Sequence, residues 1–397
     1  MAHEPDGQAL ISPARGTRPA NRRELIVRAA ADLFYRKGYA TVGMGEVARA
    51  VAIGPSALYR HFRGKQDLLA TVVGNALEAV DVTLAAASSS DVGVRLAAFA
   101  LEHRGIGVLW RREARHLSAD NRAQLRLVTD RIVTRLIDLI RERRPALGVA
   151  EADLLARSAL AVGISASFHS LSLPEPGFNN LLGELITATI DAPIALADPM
   201  TSHLDTVAAV LTGSRRETIL VEAAKLFARN GFAGVSMDDI GATAGITGPS
   251  VYNHFPAKTD ILTAAMFRGD EWLRMGMNRA FAQANDPCDA LRRLLRSYAE
   301  FVFENPHLIQ LLISESVHLP DAVRDRGRAA QRSYIAEWVH LAGQVHPTWD
   351  LSSARIRVQA AQTIVNEISL TPQFRTDPAV ESAVVVIGAR LLAIAQD

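Results

Sequence analysis

Two octapeptides, LYRHFRGK at 58–65 and VYNHFPAK at 251–258, stand 193 residues apart in one chain. The likeness extends well beyond them. Sliding 22–69 onto 215–262 needs no gap and gives about 20 identities in 48 positions. They include Arg22/Arg215, Arg23/Arg216, Leu33/Leu226, Phe34/Phe227, Gly38/Gly231, Met44/Met237, Tyr59/Tyr252, His61/His254 and Lys65/Lys258. So long a period marks a duplicated domain rather than a solenoid, whose units run to roughly 20–50 residues. The chain must fold as two like units, and 397 residues give each an ample core.

Each repeated segment reads as three short helices. In the first, 22–37, Ile26, Ala30, Leu33 and Phe34 share one face at helical spacing. Gly38 and Gly231 suit the left-handed position that stops a helix. The second helix starts near Met44 and Met237. Ser236 with Asp239 three residues on has the capping-box pattern, whereas Gly43 in the first copy is a weaker cap. The third helix is expected over 57–62 and 250–255, after Pro55 in a first turn where its missing N–H costs nothing. Leu58 and Phe62, four apart, would face a core and leave Tyr59, Arg60 and His61 outward. Two short helices joined by a tight turn form a helix-turn-helix, whose second helix enters a DNA major groove. An αα-hairpin used only for packing has the same pattern.

The segments ADLFYRKGYATVGMGEVARAVAIGPSALYRHFRGKQDLL (31–69) and AKLFARNGFAGVSMDDIGATAGITGPSVYNHFPAKTDIL (224–262) each resemble the TetR-type DNA-binding domain. Leu-Phe, Gly-aromatic, the turn and the Tyr-x-x-Phe-x-x-Lys ending match in order and spacing. The resemblance implies an all-α chain of two tandem units, each a three-helix reader followed by a helical ligand-binding and pairing domain. The expected division is a basic arm (1–20), a first reader (21–66), its helical domain (67–192), a linker (193–213), a second reader (214–259) and its helical domain (260–397). The resemblance implies double-stranded DNA as partner. On the DNA side it places Arg18, Arg22, Met44, Ser56, Ala57, Tyr59, Arg60, His61 and Lys65 in the first copy. In the second it places Arg215, Ser236, Pro249, Ser250, Tyr252, Asn253, His254 and Lys258. In the family the lysine touches phosphate; a solvated charge is the other reading. Family members pair through their last two helices, here 152–171 with 178–190 and 353–370 with 379–395. Two complete units in one chain would pair internally as a pseudo-dimer, with a homodimer of chains as a further arrangement.

The copies differ where they would touch bases: Ser56/Pro249, Ala57/Ser250 and Arg60/Asn253. Arginine favours guanine and asparagine adenine in the major groove, so an asymmetric operator is expected. Their charge differs too. Residues 15–65 hold eleven Lys/Arg against three Asp/Glu, and residues 215–258 hold five against four. The chain's net charge is only +1, so polyanion binding must be local. The first copy should dominate DNA affinity, since phosphate contacts supply much of it. The second would be a weaker reader, or a degenerate one kept for pairing. The basic arm ARGTRPANRR (14–23) suits a minor groove or phosphates, unless it is a passive tail.

VLWRREARHLSADNR (108–122) is the most distinctive stretch of the first helical domain. Leu109, Trp110, Glu113 and Leu117 suggest a buried stripe. Arg111, Arg112 and Arg115 either hold an anionic head group or form a solvated, ion-paired face. The counterpart IQLLISESVHLP (309–320) lacks these arginines, and His116 aligns with His318. Candidate effector contacts are Trp110, Arg111, Arg115, His116 and Phe168. The tandem layout with this stretch is also similar to a narrower group, the double-unit actinobacterial repressors of mammalian-cell-entry lipid-uptake operons. That likeness implies a small hydrophobic, lipid- or steroid-derived effector, or its acyl-CoA thioester.

Catalytic signatures do not emerge. GISAS (163–167) lacks the last glycine of a nucleophile elbow and lies in a helical pattern. No phosphate-binding glycine loop is present, and the eleven histidines show no metal spacing. No cofactor, metal or enzymatic activity is expected. The single cysteine, Cys288, excludes an internal disulfide and suits a reducing cytoplasm. No apolar run is expected to span a membrane.

Overall fold

The structure is a computed structural model, and it describes residues 21–196, 214–375 and 377–395. The basic arm with Arg18 and most of the linker lie outside the described residues. Among those described there is no strand, so the chain is all-α as expected.

The first reader comprises α1 (Arg22–Lys37), α2 (Met44–Ala50) and α3 (Pro55–Tyr59). Then follow α4 (Lys65–Ala85), α5 (Val92–Glu102), the short α6 (Ile106–Val108), α7 (Ala119–Arg143), α8 (Val149–Ser165) and α9 (Gly177–Ile190). The second half repeats the plan. Its reader is α10 (Arg215–Asn230), α11 (Met237–Thr243) and α12 (Gly248–Val251). Its helical domain is α13 (Lys258–Gln283), α14 (Pro287–Glu304), α15 (Pro306–Ser314), α16 (Asp321–Val345), α17 (Leu351–Ser369) and α18 (Pro378–Leu391). Every reader helix in the second copy starts 193 residues after its counterpart, matching the gapless repeat.

Residues fall into two compact units that cut across the duplication. One holds the first reader, α4 and His103–Ile132; the other holds Ala87–Glu102 and everything from Val133 onward. In the first, α4 is long and apolar enough by length and composition to cross a membrane, contrary to the sequence expectation. Its apolar face is core: Leu68, Leu69, Val72, Val73 and Leu84 are buried. Arg131 on α7 ties to α4 through Asp81 at 3.1 Å and Glu78 at 3.0 Å.

In the second unit α8 packs on α9 and on α17, α17 on α18, and α9 on α18. Helices from both halves of the chain thus share one layer. Both α8 and α17 are buried on nearly every side, as their Ala/Leu/Val/Ile-rich sequences require. The Gln373 side-chain amide donates to Asp153 on α8 at 2.6 Å, joining residues 220 apart. The centre of the second helical domain is aromatic. Tyr298, Tyr334 and Trp338 are mutually in contact, with ring centroids 5.8–6.3 Å apart. The Tyr298 hydroxyl donates to Asn366 at 2.9 Å, and burial pushes its pKa up.

Candidate nucleic-acid interface

Each reader is closed by the same backbone devices. Gly38 (φ 83°) and Gly231 (φ 74°) follow the first helix and donate their N–H to Phe34 and Phe227. The second helix ends in a Schellman motif in both copies. Ile53 N–H reaches Ala48 and Ala52 N–H reaches Arg49; Ile246 and Gly245 do the same to Gly241 and Ala242. The left-handed residue is Gly245 (φ 70°) in the second copy but Ala52 (φ 54°) in the first. An L-residue pays about 1–2 kcal/mol there. Ala52→Gly should therefore raise the first reader's stability by about 0.5–1 kcal/mol, after the extra entropy of an unfolded glycine. Urea titration followed by exchange of reader amides measures it.

At the start of the second helix the copies differ as read from sequence. Ser236 Oγ accepts from Asp239 N–H at 3.1 Å and donates to its carboxylate at 2.7 Å, completing a capping box. Those bonds hold the Asp239 carboxyl below its ordinary range. Gly43 makes no side-chain cap. Ser236 is thus exposed but already occupied as a cap. Met237 is buried in the reader core, and Met44 is half-buried.

The recognition helices are shorter than predicted, ending at Tyr59 and Val251. Turns carry the chain on, with Phe62 N–H bonding Leu58 and Phe255 N–H bonding Val251. Leu58, Phe62, Val251 and Phe255 are core. Their burial turns the opposite face out. Tyr59 is 55% and Tyr252 54% exposed. Ser56, Arg60 and His61 are exposed beside Tyr59, as are Pro249, Asn253 and His254 beside Tyr252; Ala57 and Ser250 are half-buried.

Four cationic placements were not legible from spacing. Arg23 lies over the Phe62 ring at 4.9 Å and Arg216 over Phe255 at 4.3 Å, so the first helix braces the turn that follows the third in both copies. Neither was among the predicted site residues, although both appear in the list of identities. Arg22 is half-buried and Arg215 exposed. The lysines point onto their own domains. Lys65 Nζ sits 4.2 Å from the Tyr39 ring centre and donates to the Ala40 carbonyl at 3.2 Å. Lys258 Nζ lies 4.3 Å over Phe232 and donates to the carbonyls of Phe232 and Val235 at 2.7 and 2.6 Å. Desolvation lowers both pKa values. Each ammonium spends part of its hydrogen-bonding capacity inside the reader, leaving less for phosphate.

Of the predicted effector contacts, Trp110, Arg111, Arg115 and His116 belong to the first compact unit and Phe168, 40% exposed, to the second. Residues Leu109–Glu113 form a π-helical turn and Ala114–His116 a 3₁₀ turn. Leu109, Glu113 and Leu117 are buried as the stripe required, whereas Trp110 is only half-buried. His116 stacks on Tyr39. Among the described residues no cluster of side chains has the makings of a metal site.

Residues 26–72 and 219–265 both match the family described as "Bacterial regulatory proteins, tetR family". Over 139 residues, 30% of this chain, the sequence is 27% identical to the HTH-type transcriptional activator FasR of Mycolicibacterium smegmatis. The match spans 64% of that relative's length. Among solved structures, the ketosteroid transcriptional regulator KstR2 of Mycobacterium tuberculosis aligns with a TM-score of 0.40 at 20% identity, covering 47% of this chain and 98% of that one. AibR in complex with isovaleryl coenzyme A and operator DNA aligns at 0.35 and 21%, covering 38% and 86%.

Proposed function

We propose that this chain, a TetR-type regulator with two tandem units, controls transcription by reading an asymmetric operator with two unequal recognition helices. The observation that carries this reading is a shared scaffold with different outward residues. Ser56, Ala57 and Arg60 stand where Pro249, Ser250 and Asn253 stand in the other copy. A bidentate arginine to guanine and an asparagine to adenine each discriminate by about 1–3 kcal/mol. Internal pairing is part of the proposal, and the packing of α8 and α9 with α17 and α18 supports it.

Regulation follows if a small hydrophobic effector binds the DNA-incompetent state more tightly than the competent one. The proposed contacts are Trp110, Arg111, Arg115 and His116, which belong to one compact unit. The arginines would take the anionic end of a lipid- or steroid-derived molecule or an acyl-CoA thioester. The narrower likeness, to the repressor of the third mammalian-cell-entry operon in particular, points the same way. Repression, in the cytoplasm and without a cofactor or catalytic step, completes the reading.

A second reading, with bases read only by the first copy, is favoured by the charge difference between the two readers. One experiment separates them: light scattering of the protein on its own promoter fragment, with footprinting of the same sample. One chain on an asymmetric footprint is expected. Two chains on a symmetric footprint would sink the proposal and leave the second unit a pairing or sensing role.

Arg60→Ala should cost about 1–3 kcal/mol of operator affinity and relax base preference in one half of the footprint. Asn253→Ala should relax the other half. Selection from a randomised operator library reads both. Loss of preference in the same half for both variants would count against two independent readers.

A further inference from the structure

Two buried carboxylates, one in each half of the chain, have the same surroundings. Glu113 is 3% and Glu315 1% exposed. Glu113 lies 3.6 Å from His116 Nε2, and Glu315 lies 3.5 Å from His318 Nε2. The His116 ring stacks on Tyr39 with centroids 4.9 Å apart and planes at 22°; His318 stacks on Phe232 at 5.1 Å and 24°. Tyr39 and Phe232 immediately follow the glycine that ends each reader's first helix. Each also touches the phenylalanine at the reader's centre, Phe34 at 5.4 Å and Phe227 at 5.3 Å. The lysine that opens the next long helix lies over the same ring. In the second copy Glu315 Oε2 also accepts the Phe232 N–H at 3.0 Å, so one carboxylate holds both the imidazole and the reader's backbone.

This column has survived a change in chain length. Within the readers the copies are 193 residues apart, yet His116 and His318 are 202 apart. Lys65 is 51 residues from His116, and Lys258 is 60 from His318. The intervening helices differ in length, and the first copy has a π-helical turn where the second has α15. Even so, each histidine ends a 3₁₀ turn, precedes a buried leucine and meets the same ring in the same stack. Mere filling of space would not restore one ring orientation to within a few degrees over two unlike paths.

We propose that His116 and His318 are positioning residues for the DNA readers. Each imidazole, held by a buried carboxylate, clamps the aromatic residue after the reader's first helix and sets how that reader sits on its helical domain. A shift of 109–118 or 309–319 then moves Tyr39 or Phe232, and with it the core on which the recognition helix is built. The inference rests on the DNA-reading proposal for its consequence, but not for its geometry.

The duplication supplies an internal control. Full-length His318→Ala should speed exchange of the amides in 232–255 by about tenfold, the worth of one lost aromatic contact. The amides of 39–62, and those of α8 and α17, should keep their wild-type rates. His116→Ala should do the reverse. Phe232→Leu should loosen the same reader, and Phe232→Leu combined with His318→Ala should loosen it no further, because both remove one contact. Footprint protection should fall about tenfold in the half served by the altered copy alone. Loosening of both readers together, unchanged exchange, or full additivity in the double variant would overturn the assignment. A wild-type protein that protects no promoter DNA would sink the regulator reading, while the exchange measurements would still decide the clamp.

Discussion

Phe34→Ala is expected to abolish operator binding, whereas Phe227→Ala should weaken it and leave much of the affinity. Both rings are fully buried at the centre of a reader. Each packs on the aromatic residue beyond the helix-ending glycine, and its carbonyl accepts that glycine's N–H. Truncating such a ring costs about 3–5 kcal/mol, comparable to what a three-helix domain has to lose. Equal structural damage should have unequal consequences for DNA. Residues 15–65 carry eleven cationic side chains against three anionic, and residues 215–258 only five against four. Counterion release scales with phosphates neutralised. Unfolding the first reader should therefore also flatten the salt dependence of binding, and unfolding the second should barely change it. Gel shifts across a salt series, alongside local exchange to verify which reader has opened, give the answer. Equal loss of affinity and of salt slope in the two variants would refute the dominance of the first reader.

Val162→Asp on α8 or Ala361→Asp on α17 should be worse for the chain as a whole. Both positions are fully buried in the layer shared by the two halves. An uncompensated carboxylate there costs about 3–5 kcal/mol or forces its own protonation. Because helices of both halves meet at this layer, the damage should reach α9 and α18 as well as the mutated helix. Leu127→Asp provides the contrast: Leu127 is 68% exposed on α7, and its replacement should stay within about 0.5 kcal/mol. Thermal unfolding of the three variants, monitored by circular dichroism, tests the ranking. A buried variant as stable as Leu127→Asp would mean that the layer is not the shared core described.

Much of this fold was legible because local signals agree with packing. The apolar spacing from Ile26 to Phe34 and the stop at Gly38 give α1 over the predicted residues. Ser236 and Asp239 cap as their spacing requires. The pairing helices expected at 152–171 and 353–370 appear as Val149–Ser165 with a short 3₁₀ extension, and as Leu351–Ser369. Other features depend on distant neighbours. By length and composition α4 could cross a membrane, and only its packing shows that its apolar face is core. The lysines at 65 and 258 read in sequence as phosphate contacts or solvated charges, and only the fold brings Tyr39 and Phe232 beneath them. His116 sits among arginines in the chain and reads as part of an anion site. Its stacking partner is 77 residues away, and no local periodicity reports that.

If the two halves pair through the layer formed by α8, α9, α17 and α18, as proposed, the dose dependence of operator occupancy follows from it. Partners joined by one backbone find each other at an effective concentration set by the linker, not by how many copies the cell holds. Occupancy should then rise with the first power of protein concentration, with a Hill slope of one down to the lowest doses. A regulator built from separate subunits would lose its partner on dilution and respond with the square. Internal pairing would also put one of each half in every complex, with no self-paired species diluting the pool. Neither half would then need to remain complementary to itself, and the two recognition surfaces would be free to drift apart.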